Sequence, residues 1–212
     1  MTKGREHFIV SLNWIDVITL ISLLLACLGL LAALRGRLSL AIAIMLLGMF
    51  TDMLDGGLAR STFNPRGETE FGRYLDSFCD VFVYLILPMF VLYQFGMQDL
   101  LSLAAIFAFL ASGILRLSRF NMIGAIEEAG VKYHLGLQVI WSHLVVVLAF
   151  PLWRGWGAST RYLIAAGLLV MSVFMIRNLR FRKPTAYVQL AILILSVAAA
   201  YFYLHLAGIL AP

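Results

Sequence analysis

Charge is scarce in this sequence. Only 13% of its 212 residues are Asp, Glu, Lys or Arg, about half the roughly 25% of a water-soluble domain. Hydrophobic residues make up 62%, and mean hydropathy is +0.94. This excludes an ordinary water-soluble globule and points to the bilayer as solvent. Cysteine is equally scarce: Cys27 and Cys79 both lie in apolar stretches, which excludes a disulfide framework and reads as buried thiols. No internal repeat, low-complexity segment or long linker divides the chain. The net charge of +5 rests on too few exposed residues for a nucleic-acid surface, and suits membrane orientation and lipid headgroups instead.

What is abundant is long apolar runs. A spanning helix needs about 20 mostly apolar residues. Seven runs qualify, at 14–34, 38–60, 71–96, 99–118, 136–153, 159–176 and 186–208. Lys3 and Arg5 precede the first as in a signal peptide, but its apolar run is too long for one and is expected to stay in the protein. The expected fold is therefore all-α, a polytopic membrane helical bundle. Residues 1–13 form a cytoplasmic or interfacial segment and 14–208 a single transmembrane domain. The amino end and the second, fourth and sixth connections carry twelve Lys and Arg; the other side carries Arg35, Arg37, Arg154 and Arg161. Positive-inside bias then puts the amino terminus in the cytoplasm and, with seven spans, the carboxyl terminus outside.

Of only eleven acidic residues, four fall within two of these runs: Asp52 and Asp55 in the second, Asp76 and Asp80 in the third. An Asp near mid-helix costs about 2.5–3.5 kcal/mol on insertion scales, so function is the default explanation. At 100° per residue Asp52, Asp55 and Ala59 lie within about 60° of one another. Gly72, Asp76 and Asp80 form a second stripe at i, i+4, i+8. Two antiparallel helices would bring the four carboxylates together, and their mutual repulsion requires protons or cations. Hard oxygen ligands without His or Cys suit Mg²⁺, Mn²⁺ or Ca²⁺, and four carboxylates balance two divalent ions. Such a pair, about 3.5–4 Å apart, is the two-metal clamp of phosphoryl-transfer enzymes. Gly56, Ala59 and Gly72 leave room beside the carboxylates for a bulky group, although small residues taken singly also serve helix packing. A carboxylate-lined ion transporter is the rival reading; against it, the last three spans contain no acidic residue.

Asp52-Met-Leu-Asp55-Gly56-Gly57-Leu58-Ala59-Arg60, followed by Gly72-Arg73-Tyr74-Leu75-Asp76-Ser77-Phe78-Cys79-Asp80, resembles the DxxDGxxAR…GxxxDxxxD signature of the CDP-alcohol phosphotransferases. All eight signature positions match, across a connection between Arg60 and Gly72 that is longer than the family's. The segments Phe71–Ser77 and Leu115-Arg116-Leu117-Ser118-Arg119-Phe120-Asn121 look like the phosphatidylserine synthase branch, as does Tyr133-His134-Leu135-Gly136-Leu137. The run from Leu75-Asp76 to Gln94 and Val139-Ile140-Trp141 is also similar to bacterial phosphatidylcholine synthases, which keeps choline open as an acceptor.

The resemblance implies six family-type core helices plus about one extra span at the carboxyl end. It implies transfer of a phosphatidyl group from a CDP-linked lipid to an alcohol, foremost L-serine, with release of CMP; choline, inositol phosphate and glycerol phosphate are the alternatives. Asp52, Asp55, Asp76 and Asp80 would hold two divalent cations, Mg²⁺ or Mn²⁺. Asp80 would complete the second site or take the acceptor hydroxyl's proton, worth about 10²–10⁴-fold as general-base help. Gly56, Ala59, Arg60 and Gly72 would receive the nucleotide. Arg116 and Arg119, three residues apart on one helical face, offer guanidinium forks for a phosphate or the carboxylate of serine, or else serve as positive-inside anchors. His134 and His143 could be aligned for catalysis, but such histidines are more often hydrogen-bonded interior residues, and no Cys or His partner has metal-ligand spacing. A bacterial or archaeal cytoplasmic membrane, an active site on its cytoplasmic side, membrane-lipid contact and a homodimer complete the family's expectations.

Overall fold

The computed structural model describes residues 13–59, 70–128, 131–182 and 184–209, with the side chains of 55–59, 132 and 186 outside the described set. Its helices are α1 (Trp14–Leu34), α2 (Leu38–Ala59), α3 (Glu70–Asp80), α4 (Leu87–Gln94), α5 (Leu100–Ile123), α6 (Trp141–Trp156), α7 (Thr160–Ile176) and α8 (Ala186–Leu206). A π-helical segment, Val81–Ile86, joins α3 to α4, so that Glu70–Gln94 is one continuous rod. Five helical stretches are long and apolar enough to cross a membrane, and Leu38–Leu54 is a shorter apolar one. One of the five, Trp141–Ile176, is a hairpin: Gly157 at φ +68° and a 3-10 turn at Gly157–Ser159 break it into α6 and α7. The Thr160 hydroxyl donates back to the Leu152 carbonyl at 3.4 Å.

The burial pattern is that of a protein in lipid. Leu24, Phe107 and Leu195 point outward, 57%, 71% and 67% exposed, whereas the interior carries small residues and methionines such as Ala33, Ala41, Ala43, Met45 and Met89. Small interior residues let helices approach closely, because lipid supplies no hydrophobic force between them. A Cβ on Gly113 of α5 would collide with Leu85, and one on Gly29 of α1 would lie 2.8 Å from Leu87. Buried hydroxyls satisfy themselves on their own helix: Ser22 donates to the Thr19 carbonyl, Ser112 to Ala108 and Ser172 to Leu168, each at 2.7 Å. Asp16, only 4% exposed, accepts the Asn13 backbone N–H at 2.8 Å. Its carboxylate is a helix cap, not part of a polar path.

Helix α1 lies along α2, α2 against α8, and α5 against α7. At one end of the bundle the α4–α5 and α6–α7 turns meet: Phe95 stacks on Phe150 and Trp153, and Arg161 lies 3.6 Å from Asp99. The opposite end holds an addition to the all-α expectation, a three-stranded antiparallel sheet of β1 (Ile126–Glu128), β2 (Val131–Leu135) and β3 (Arg180–Arg182). Tyr133 pairs with Ile126 on one side and Arg182 on the other, and Arg180 donates to Glu128 at 2.6 Å. The strands tie the fourth and sixth connections to one end of the bundle. The run expected at 136–153 opens with a bend and turn over 136–140 that follow β2, so α6 begins at Trp141. Gly136, at φ +76°, ends β2 where any Cβ would collide with the Met175 carbonyl.

Candidate active site

The long helix Glu70–Gln94 packs on α2 through residues 81–94, while its polar first half, α3, lies against α1 and α5 and carries Asp76 and Asp80 up to Asp52 of α2. Helix α3 is amphipathic, with Asp76 and Asp80 one turn apart and Cys79 buried between them in sequence. Asp52, Asp76 and Asp80 converge: one carboxylate oxygen from each lies within 4.8 Å of the others, and all three residues are half-buried. At an effective dielectric of about 20, each pair of ionised carboxylates at that separation repels by roughly 3 kcal/mol or more. A divalent cation would reverse the sign of that balance. The donors are hard oxygens with neither sulfur nor imidazole among them, so the residues fit Mg²⁺ or Mn²⁺.

Of the other residues expected here, Asp55, Gly56 and Ala59 lie on the last turns of α2 with side-chain positions outside the described set, and Arg60 lies outside the described residues altogether. Gly72 is half-buried on α3, one turn before Asp76. Arg116 is brought in from α5. It is 8% exposed, its guanidinium carbon lies 5.3 Å from the centre of the Phe120 ring, and it is in Coulombic reach of Asp80. Its Nε makes no hydrogen bond among the described residues. Arg119 is half-buried one turn further along the same helix. Phe120 in turn stacks on His134 of β2 at 5.5 Å, and the Ser77 hydroxyl of α3 donates to Asn121 Oδ1 of α5 at 3.0 Å. These contacts register α5 and the sheet against the acidic stripe.

Two further residues bear on the cluster, Tyr84 by direct contact and His143 through Tyr84. Tyr84 donates its hydroxyl to Asp52 Oδ2 at 2.6 Å. His143, 2% exposed, stacks on Tyr84 with ring centroids 4.8 Å apart. The signal for Tyr84 is present in the sequence, since it continues the 72, 76, 80 stripe by four more residues. His143 has no such signal; it is an interior hydrogen-bonded histidine, as expected, with Nε2 3.3 Å from the Met45 carbonyl. Beside Asp52 opens a cavity of about 850 Å³ between α2, α6 and α8, walled by apolar side chains including Met49, Leu144, Ile192 and Leu193, with Arg182 and Gln189 also lining it.

Comparison with known proteins agrees with this geometry. A CDP-alcohol phosphatidyltransferase family model matches residues 12–211. A CDP-diacylglycerol–serine O-phosphatidyltransferase of Methanocaldococcus jannaschii is 31% identical over 157 residues, covering 74% of this chain and 70% of the relative. The protein of the same name in Bacillus subtilis is 28% identical over 144 residues, covering 66% and 73%. An archaetidylserine synthase of Methanothermobacter thermautotrophicus is 30% identical over 127 residues, covering 58% and 52%. Acidic stripes on two packed membrane helices, their signature spacing and a match along nearly the whole chain lead to one conclusion: this chain belongs to the CDP-alcohol phosphatidyltransferase family and is a membrane-embedded transferase.

Proposed function

We propose that the protein transfers the phosphatidyl group of a CDP-linked diacyl lipid to the hydroxyl of L-serine, releasing CMP and forming phosphatidylserine. The observation that carries this reading is the convergence of Asp52, Asp76 and Asp80 beside the buried Arg116. The carboxylates suit a diphosphate bound through divalent cations, and the guanidinium suits an acceptor that is itself an anion. Choline, a cation, has no use for Arg116. The names of the relatives from B. subtilis and M. jannaschii favour serine independently.

The family uses a divalent metal. In this chain Asp52, Asp76 and Asp80, with Asp55 from the next turn of α2, would hold two such ions, Mg²⁺ or Mn²⁺. When bound, they neutralise the diphosphate and stabilise charge developing on the departing CMP. Gly56, Ala59 and Gly72 leave room for the nucleotide, and Arg60 meets its phosphate. Arg116, with Arg119 behind it on α5, holds the serine carboxylate. Asp80, in Coulombic reach of Arg116, accepts the serine hydroxyl's proton as its oxygen forms the new bond to phosphorus and CMP leaves. The apolar cavity beside Asp52 seats the hydrocarbon of the lipid, so that the reacting phosphorus lies at its polar mouth. We place this end of the bundle on the cytoplasmic side and the working form as a homodimer.

Purified protein supplied with CDP-diacylglycerol and Mg²⁺ or Mn²⁺ should release CMP with L-serine, and not with choline, inositol phosphate or glycerol phosphate. Release with choline in place of serine would overturn the acceptor. Undiminished release in EDTA would overturn the metal site.

A further inference from the structure

Tyr84 belongs to no part of the acidic signature, yet its hydroxyl donates directly to the Asp52 carboxylate. We propose that Tyr84 is a positioning residue that locks the Asp52 carboxylate in its ligating orientation, with His143 bracing the phenol ring. The inference rests on Asp52 being a metal ligand, as proposed above.

Four observations support it. First, the 2.6 Å hydrogen bond is short, as expected of a hydroxyl donating to a charged oxygen. Tyr84 is 2% exposed, so no bulk water competes for it. Second, the helix changes its hydrogen-bonding pattern here: the π-helical segment starts directly after Asp80, and the Leu87 N–H donates to the Phe82 carbonyl five residues back. π turns within α-helices are frequent at functional sites. Pro88, with no N–H to give, lies inside this continuous rod, where a missing donor interrupts the helical hydrogen-bond ladder as the π segment passes into α4. Third, the ring is held from behind. His143 of α6 packs on it at 4.8 Å with the planes tilted by 56°. His143 also bonds to α2: a carbonyl only accepts, so Nε2–H donates to Met45 at 3.3 Å. Met45 is seven residues before Asp52, two helical turns along the same face of α2. The segment carrying Tyr84 is thus fastened to α2 at Asp52 directly and at Met45 through His143.

Fourth, the chemistry suits the task. Asp52 lines the apolar cavity as well as the acidic cluster, so its carboxylate has two ways to face. A fixed donor on Oδ2 selects the orientation toward Asp76 and Asp80, and assigns Oδ1 as the oxygen offered to an ion. A phenol does this without positive charge; Lys or Arg in its place would compete with the cation. Donors that orient ligating carboxylates typically contribute 10–100-fold to metal affinity or activity.

The test uses the full chain in detergent. Tyr84→Phe keeps the ring and its packing on His143 and removes only the hydroxyl. Mn²⁺ titrated without substrate and followed by electron paramagnetic resonance should bind about 10–100-fold more weakly to Tyr84→Phe than to the unaltered protein. The thermal midpoint of the metal-free protein should stay within the range of a merely conservative substitution. Equal Mn²⁺ affinity in the two proteins would overturn this inference alone, whereas Mn²⁺ binding by neither would overturn the metal-site reading and this inference with it. Should Tyr84→Phe fail to fold, fluorotyrosine installed at position 84 retains the hydroxyl. Its fluorine resonance should shift on Mg²⁺ addition, and a resonance unmoved by saturating Mg²⁺ would overturn the proposal.

Discussion

The two ends of this bundle are built on opposite principles. At one end Phe95, Phe150 and Trp153 stack together, a Cβ on Gly96 would come within 3.0 Å of Trp153, and Asp99 caps α5 by accepting from the Ser102 N–H and hydroxyl at 3.2 and 2.6 Å. Every such contact favours the folded chain. At the other end three carboxylates are held within 4.8 Å of one another, and their like charges repel in a setting poor in water. That arrangement opposes folding until something binds. The aromatic end keeps the helices in register; the acidic end draws on that stability to hold like charges together, the usual trade between stability and function.

Substitutions at the two ends should separate these roles. Asp76→Asn is expected to reduce CMP release by at least 10²–10³-fold, on the order of losing one preorganised electrostatic stabiliser. The same variant, freed of one repulsive charge, should melt no lower than the unaltered protein when metal is absent. A lower metal-free midpoint would break the comparison. Arg116→Ala should raise the KM for serine by about 10–100-fold, the loss of a charge-assisted hydrogen bond, while the KM for CDP-diacylglycerol changes far less.

Phe95→Ala reverses the pattern. Removing a ring that is 7% exposed should cost roughly 3 kcal/mol of stability, read as a fall in the denaturation midpoint, with KM for serine unmoved. The smallest effect is at Asp99. Hydrogen bonding from the Ser102 hydroxyl, then from the Ser102 N–H, and the charge of Arg161 hold its carboxyl below the ordinary 3.8. A carboxyl lowered on folding contributes stability above its unfolded value and loses it as the pH falls through the native one. The midpoint of the unaltered protein should therefore drop slightly more than that of Asp99→Asn on acidification from about 5 to below the ordinary carboxyl value. Parallel curves would remove Asp99 from the stability of that end.

Much of the site was legible before any coordinates. Asp52, Asp76 and Asp80 were recognisable because a carboxylate between apolar runs needs a reason, and helical spacing put them on two stripes. That the stripes face each other is a matter of packing. The same logic could not rank Arg116 above Arg119, since both lie on one face of α5 and only the rotation of that helix buries one beside Asp80. Asp16 shows the converse: an acidic residue in a membrane span whose reason is local, a cap on its own helix. The sheet has no signature in the sequence because its three strands are three to five residues long. A β1–β2 pairing is local, but β3 comes from more than forty residues on and has no periodicity of its own.

The amino-acid sequence alone determined that the chain lives in a membrane, where its helices run and which carboxylates are anomalous, because hydropathy and helical periodicity are properties of a chain and its solvent. Only the tertiary structure decided which acids meet, that Arg116 joins them, and that Tyr84 and His143 brace Asp52. Those outcomes depend on how one helix is rotated against another, and that rotation is set by residues far apart in the chain, such as the Leu85 side chain over Gly113 and the His143 ring on the Met45 carbonyl, whose fit is settled only when they touch.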